Sequence, residues 1–239
     1  MIIDTSFNVR SDANGGDPDS RSPTLQKYHK ILWSKPLPNG KNFELNENNW
    51  GDYLYLSHKS ELGEFFLSSD TIWHEYSTHI RKQWLIKQIP KEVIKEFIDF
   101  CYTVGGHIIF PCNQIDRKPT INQARGCNSF IDDRFDLTLE CIRRFYLGQT
   151  SPLYDTLLRY KNFFDLFDNF IGYVQFFLLD DLIDENQNIK FYLPFDDFKT
   201  PPTFSNVDEY LFYKEGVMNF VGSRNKRIEN YAGKIQKLY

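Results

Sequence analysis

The stretch Asp132-Asp-Arg-Phe-Asp-Leu-Thr-Leu-Glu-Cys-Ile-Arg-Arg-Phe-Tyr146 carries the apolar period of an α-helix, expected from Asp132 to about Leu147. On a wheel, Asp132, Asp133, Asp136, Glu140, Arg143 and Arg144 share one arc. Glu140 stands three and four residues before Arg143 and Arg144, so this arc reads as a laced polar face. The opposite arc carries Ile131, Phe135, Leu137, Leu139, Cys141, Ile142 and Phe145, which fit a core. Arg134 falls in the middle of that apolar arc, within about 40° of Thr138, Cys141 and Phe145 at roughly 100° per residue. A guanidinium cannot shed its charge, so burying it demands a negative companion. That companion is either an internal carboxylate or an anionic ligand.

Other helices flank this one. Ser22-Pro23 supplies a hydroxyl N-cap and a proline at the first helical position, and Leu25, Tyr28, His29 and Leu32 then share a face. Ser68, Ser69 or Asp70 can cap a helix that turns Ile72, Tyr76, Ile80 and Trp84 inward. Pro90 opens another, with Val93, Ile94, Phe97, Ile98 and Cys101 inward, and Ser151-Pro152 starts one striped by Leu153, Leu157, Tyr160, Phe164 and Phe167. The last helix is expected from about Val207 to Tyr231. Strands are expected at Phe43–Leu45, Tyr53–Leu56, Phe65–Leu67, within Gly105–Pro111, at Tyr173–Leu179 and at Ile189–Leu193. The pattern implies an α+β fold: one domain over residues 1–239, with a mixed central sheet of short strands packed by amphipathic helices. Residues Arg10 to Arg21 read as a flexible or ligand-capping polar loop.

Aromatic residues make up 17% of the 239, enough large rings to fill a sizeable core. A net charge of −4 argues against a protein coated for general nucleic-acid binding. Lys214, Arg224, Lys226, Arg227, Lys234 and Lys237 form a local basic run, read as a solvated face of the final helix. Met1-Ile-Ile-Asp4 reaches an acid at once, and no apolar run is long enough for a bilayer, so a cytoplasmic protein with no membrane partner is expected. Its four cysteines are then reduced, and their uneven spacing gives no zinc pattern.

Several motifs fail on chemistry. Asp12, Asn14, Asp17 and Asp19 resemble a calcium loop, but Gly16 stands where the fifth ligand belongs. His74-Glu75 and His79 are spaced by five rather than four residues, which turns the second histidine off the first one's helix face. No phosphate loop and no nucleophile elbow is present, and no metal site is expected. Asp180-Asp181 and Asp196-Asp197 each follow an expected strand, yet adjacent acids point in different directions and suit caps and turns.

The candidate site residues are therefore few. His29, between Leu25, Leu32 and Trp33, is either a satisfied core histidine or a proton-transfer group. Thr120-Ile-Asn-Gln-Ala-Arg-Gly126 places Asn122 and Arg125 near a helix start, where an anion is favoured.

These residues sit in blocks that resemble a family of uncharacterised bacterial and phage proteins, a domain of unknown function. The blocks are Ser22-Pro-Thr-Leu…Tyr28-His29…Leu32-Trp-Ser-Lys35-Pro-Leu-Pro, Ile108-Ile-Phe-Pro111, Thr120-Ile-Asn…Ala124-Arg-Gly126, Asp133 to Arg144 and Pro194-Phe-Asp-Asp-Phe198. Cys112 departs from the family's glycine after Pro111. The resemblance implies that these polar blocks are hallmarks and supplies no activity or cofactor.

Two function classes follow. The first is an anion-binding enzyme acting on a nucleotide, an NAD-like cofactor or, less favoured, nucleic acid. In it His29 or Glu140 moves a proton, while Lys35, Asn122, Arg125 and Arg134 hold the substrate and its phosphate. The second is a non-catalytic protein-interaction module, in phage–host conflict if the family's company is a guide. Loops bearing His29, Lys35, Asn122 and Arg125 are expected to converge at one edge of the sheet.

Overall fold

The computed structural model describes residues 3–41, 43–50 and 53–236. Met1, Ile2 and Lys237 lie outside them. Its elements run α1 (Pro18–Arg21), α2 (Pro23–Trp33), β1 (Leu45–Trp50), β2 (Tyr53–Ser60), β3 (Gly63–Thr71), α3 (Gln83–Ile86), α4 (Lys91–Cys101), β4 (His107–Pro111), α5 (Ile121–Cys127), α6 (Phe135–Tyr146), α7 (Tyr154–Arg159), α8 (Lys161–Phe164), α9 (Phe170–Phe176) and α10 (Val207–Gln236). The fold is α+β: one sheet packed by helices.

The sheet is antiparallel throughout, in the order β1-β2-β3-β4, rather than mixed. Each connection is either a tight turn or a return, so no parallel crossover is needed. Pairing of β2 with β3 runs from Ser60↔Gly63 to Leu56↔Leu67 and then stops. Beyond it, Asp19 fills the gap: its Oδ1 accepts the Ser69 backbone N–H at 2.7 Å. The polar Arg10–Arg21 loop thus contains a short helix and closes the ladder, with Val9 and Ala13 buried beneath it. Before β4, a 3-10 turn at Val104–Gly106 needs its second glycine, because a Cβ on Gly106 would lie 1.8 Å from the Cys101 carbonyl oxygen.

Four sequence expectations give way. Ser68–Thr71 is strand, not helix cap, because its backbone pairs with β4 as far as Thr71↔His107. Ile72 and Tyr76 are buried as expected, but the chain beyond them bends at Tyr76 (φ 60°), and Ile80 (88% exposed) and Trp84 (58%) face water. The run Tyr173–Leu179 lies in α9 and the turn after it rather than in a strand. Asn169 caps that helix through the Gly172 N–H, and Tyr173, Phe176 and Phe177 stack around Phe167. Ile189–Leu193 contributes only a single bridge, Ile183↔Ile189.

The core is aromatic. Trp33 stacks on Phe43 at 3.8 Å and meets Phe176 and Phe177, while Phe163, Phe164 and Phe167 continue the cluster. Such offset and edge-on pairs add about 0.5–1.5 kcal/mol each beyond their buried area. Among the described residues no helix is long and apolar enough to cross a membrane.

Candidate functional site

Arg134 is buried, as the wheel implied, but as the N-cap residue of α6 rather than within it. Asp132 and Asp133 precede it with φ of 52° and 59°, a left-handed turn that stops the helix from starting earlier. The guanidinium finds an internal carboxylate: Nε donates to Asp136 Oδ1 at 3.1 Å and Nη2 donates to Asp136 Oδ2. Asp136 is itself fully buried and also accepts the Tyr192 backbone N–H at 3.0 Å. The pair is therefore neutral as a unit. The Nη1 group makes no hydrogen bond to any described residue.

A cavity of about 220 Å³ lies against Arg134. Phe130 of the turn before α6 and Leu137 of α6 form one side, and the loop from Leu193 to Ser205, with Glu209 of α10, forms the rest. Phe195 and Phe198 supply aromatic walls, and Thr200, Thr203 and Ser205 supply hydroxyls. Among the described residues Glu209 is held at one oxygen only, where Oε2 accepts the Ser205 N–H at 2.7 Å. Asp196 is occupied by the Lys199 and Thr200 backbone N–H groups and the Thr200 hydroxyl, and these bonds hold its carboxyl below the usual range.

The wall is fixed from α6. Glu140 accepts from Arg143 Nε at 2.7 Å and from Arg144 Nε at 2.7 Å. Arg144 in turn donates to Asp197 and lies over the Phe195 and Phe198 rings, 5.7 and 5.0 Å from their centroids. Asp197 and Phe198 have φ of 65° and 57°. A phenylalanine in that region is unusual and persists only where its surroundings hold it. The polar arc of α6 is thus laced as its spacing implied, but Asp136 and Glu140 are buried beneath the loop instead of facing solvent.

Arg125 belongs to the same network. Its Nη1 donates to Asp70 Oδ2 at 2.5 Å and to the Thr71 carbonyl at 3.0 Å, and Nε donates to Thr138 Oγ1 at 3.3 Å. The Thr138 hydroxyl donates on to the Arg134 carbonyl at 3.1 Å. Arg125 has no exposed surface, so it braces the turn rather than reaching the cavity.

The remaining sequence candidates lie elsewhere, so the six do not meet in one pocket. His29 Nε2 is 2.5 Å from Ser69 Oγ and 3.7 Å from Asp19 Oδ1, and burial pushes its imidazole down to about 3. Lys35 donates to the Phe176 and Gln175 carbonyls at the end of α9, at 2.6 and 3.3 Å, and burial lowers its ammonium to about 7. Asn122 sits in α5 with Oδ1 shielded and unpartnered. Arg224, one of the supposed surface cations of the final helix, is fully buried and donates to the Phe177, Gly105 and His107 carbonyls and to Tyr28 Oη.

Sequence reasoning overlooked Phe130 and Glu209. Glu209 carried a signal: Asn206 and Glu209 are spaced as a helix cap and its third residue.

A family model spans residues 3–228. The chain belongs to DUF6994, a family of unknown function. No curated protein and no solved structure matches this DUF6994 chain.

Proposed function

We propose that this DUF6994 protein binds a nucleotide-class ligand and seats its base in the Arg134 cavity, as the substrate pocket of an enzyme. One observation carries the reading: a guanidinium neutralised by Asp136, whose Nη1 makes no hydrogen bond to a described residue, lines a cavity together with phenylalanine rings and the half-engaged Glu209. A neutral Arg–Asp pair donates hydrogen bonds without demanding a countercharge. A planar heterocycle offers acceptors to Arg134, N–H donors to Glu209, and π faces to Phe130, Phe195 and Phe198. The cavity volume suits a base rather than a whole dinucleotide, which places sugar and phosphate outside it.

The test is calorimetric titration with nucleosides and nucleotides. Glu209→Gln and Phe198→Leu are expected to weaken binding about tenfold or more, since a hydrogen bond to a charged group contributes about 1.5–3 kcal/mol and stacking of a base on a ring about 1–3 kcal/mol. Both positions are partly exposed, so the fold survives the changes. Unaltered affinity in both variants would contradict the reading. A second reading, an interaction module, is favoured by Leu211 and Phe212, both exposed at the start of α10. It predicts no nucleotide binding at all.

A further inference from the structure

A second cavity, of about 400 Å³, opens on the other side of the same turn. Ser129 and Asp132 line it, whereas Phe130 and Arg134 line the first, so neighbouring residues of one turn face two separate spaces. Its lining charges are arranged differently from those of the first. There, Arg134 is cancelled by Asp136, and Asp196 and Glu209 leave the lining acidic. Here the single acid, Asp132, is consumed twice over. His79 Nε2 lies 2.8 Å from its Oδ1, and the buried Lys82 ammonium pairs with Oδ2. Tyr76 locks the cluster, because its hydroxyl donates to the Asp132 carbonyl at 2.8 Å and its ring lies 3.8 Å from Lys82 Nζ. Arg81 lines the cavity, is exposed, and makes no ion pair or hydrogen bond to any described residue. Arg81 therefore brings a guanidinium without an ion pair to a described residue into a cleft that also offers the hydroxyls of Thr78 and Ser129, with the Asp133 carboxylate set against Gly126.

We infer that this cleft is an oxyanion site, with Arg81 as its anchor, for a phosphate group. A guanidinium with free donors matches the planar, bidentate geometry of phosphate oxygens. The contacts from Lys82 and His79 hold the Asp132 carboxylate in place, so it does not swing onto Arg81. The backbone there is committed to this arrangement: Tyr76, Asp132 and Asp133 all hold left-handed φ, a conformation that non-glycine residues keep only when their surroundings enforce it. The assignment is independent of what the Arg134 cavity takes.

Thermal-shift and calorimetric titrations with inorganic phosphate and with pyrophosphate, in chloride buffer, test it directly. Wild-type protein is expected to bind both. Arg81→Gln, a surface change that leaves Lys82 and Asp132 paired, is expected to weaken both at least tenfold, and Ser129→Ala severalfold. A third arm separates a free phosphate from the phosphate of a nucleotide. If the phosphate is nucleotide-borne, Arg81→Gln weakens a nucleoside monophosphate and leaves the matching nucleoside unaffected. If the cleft takes free phosphate, only the inorganic anions respond. Phosphate affinity that is absent in wild type, or unchanged in Arg81→Gln, overturns the site while leaving nucleoside binding at Arg134 to stand or fall separately.

Discussion

Arg224 shows how much a single side chain can organise. It brings five N–H donors into the buried interior, where three backbone carbonyls and a tyrosine hydroxyl accept from them. Those carbonyls belong to the turn before β4, to β4 itself and to the residue after α9, so one guanidinium ties α10 to three other segments. Arg224→Met keeps most of the volume but strands these acceptors. Urea unfolding should show a loss of about 3 kcal/mol or more, the summed cost of several unsatisfied buried groups. A loss below about 1 kcal/mol would mean that the carbonyls find other partners. Arg134 poses the same desolvation problem and solves it with a carboxylate, which is why its surplus donor is available and Arg224's are not.

At the scale of elements, α6 does two jobs through opposite arcs. Its apolar arc fills the core, and its charged arc holds the Leu193–Ser205 loop against the cavity through Glu140, Arg144 and Asp197. Glu140→Gln removes the charge that fixes Arg144. Amide exchange should then quicken in residues 194–200 with little change in the rest of α6; uniform acceleration through α6 would instead make Glu140 a part of the core. The lacing and the depth of Arg134 were legible in the sequence because both follow from helical period alone. The burial of Asp136 and Glu140 was not, because it depends on a loop some fifty residues distant. Arg224 was hidden for a similar reason, since a cation in a basic run carries no mark that distinguishes it from its solvated neighbours. The aromatic run around Tyr173 reads equally well as strand or helix, and only the Asn169 cap decides it. Ser68–Thr71 offered plausible cap residues, but pairing with β4 prevailed over local preference.

Across the whole molecule, buried titratable groups set a pH window. Burial lowers His29 to about 3 and His107 to about 4, and raises Asp19 to about 7. The two imidazoles stabilise the fold when neutral, and that contribution is lost as pH falls below the ordinary histidine value. Asp19 acts in the opposite sense, since its contribution is complete at low pH and lost as pH rises through about 7. Between about pH 7.5 and pH 4 these three groups take up about two protons in the unfolded chain against about one in the native state, and stability falls on acidification. Thermal unfolding should show Tm dropping across that interval, more steeply in Asp19→Asn and less steeply in His29→Gln. A Tm that is flat there, or a shallower slope in Asp19→Asn, would reverse the assignment.

Backbone NMR during a nucleoside titration reads the space beside Arg134 most directly. Binding there shifts the amides of Phe130, Leu137, Phe198 and Glu209 together along one saturation curve and leaves those around Arg81 in place. If millimolar nucleoside leaves these four resonances where they were, the cavity is not a base pocket.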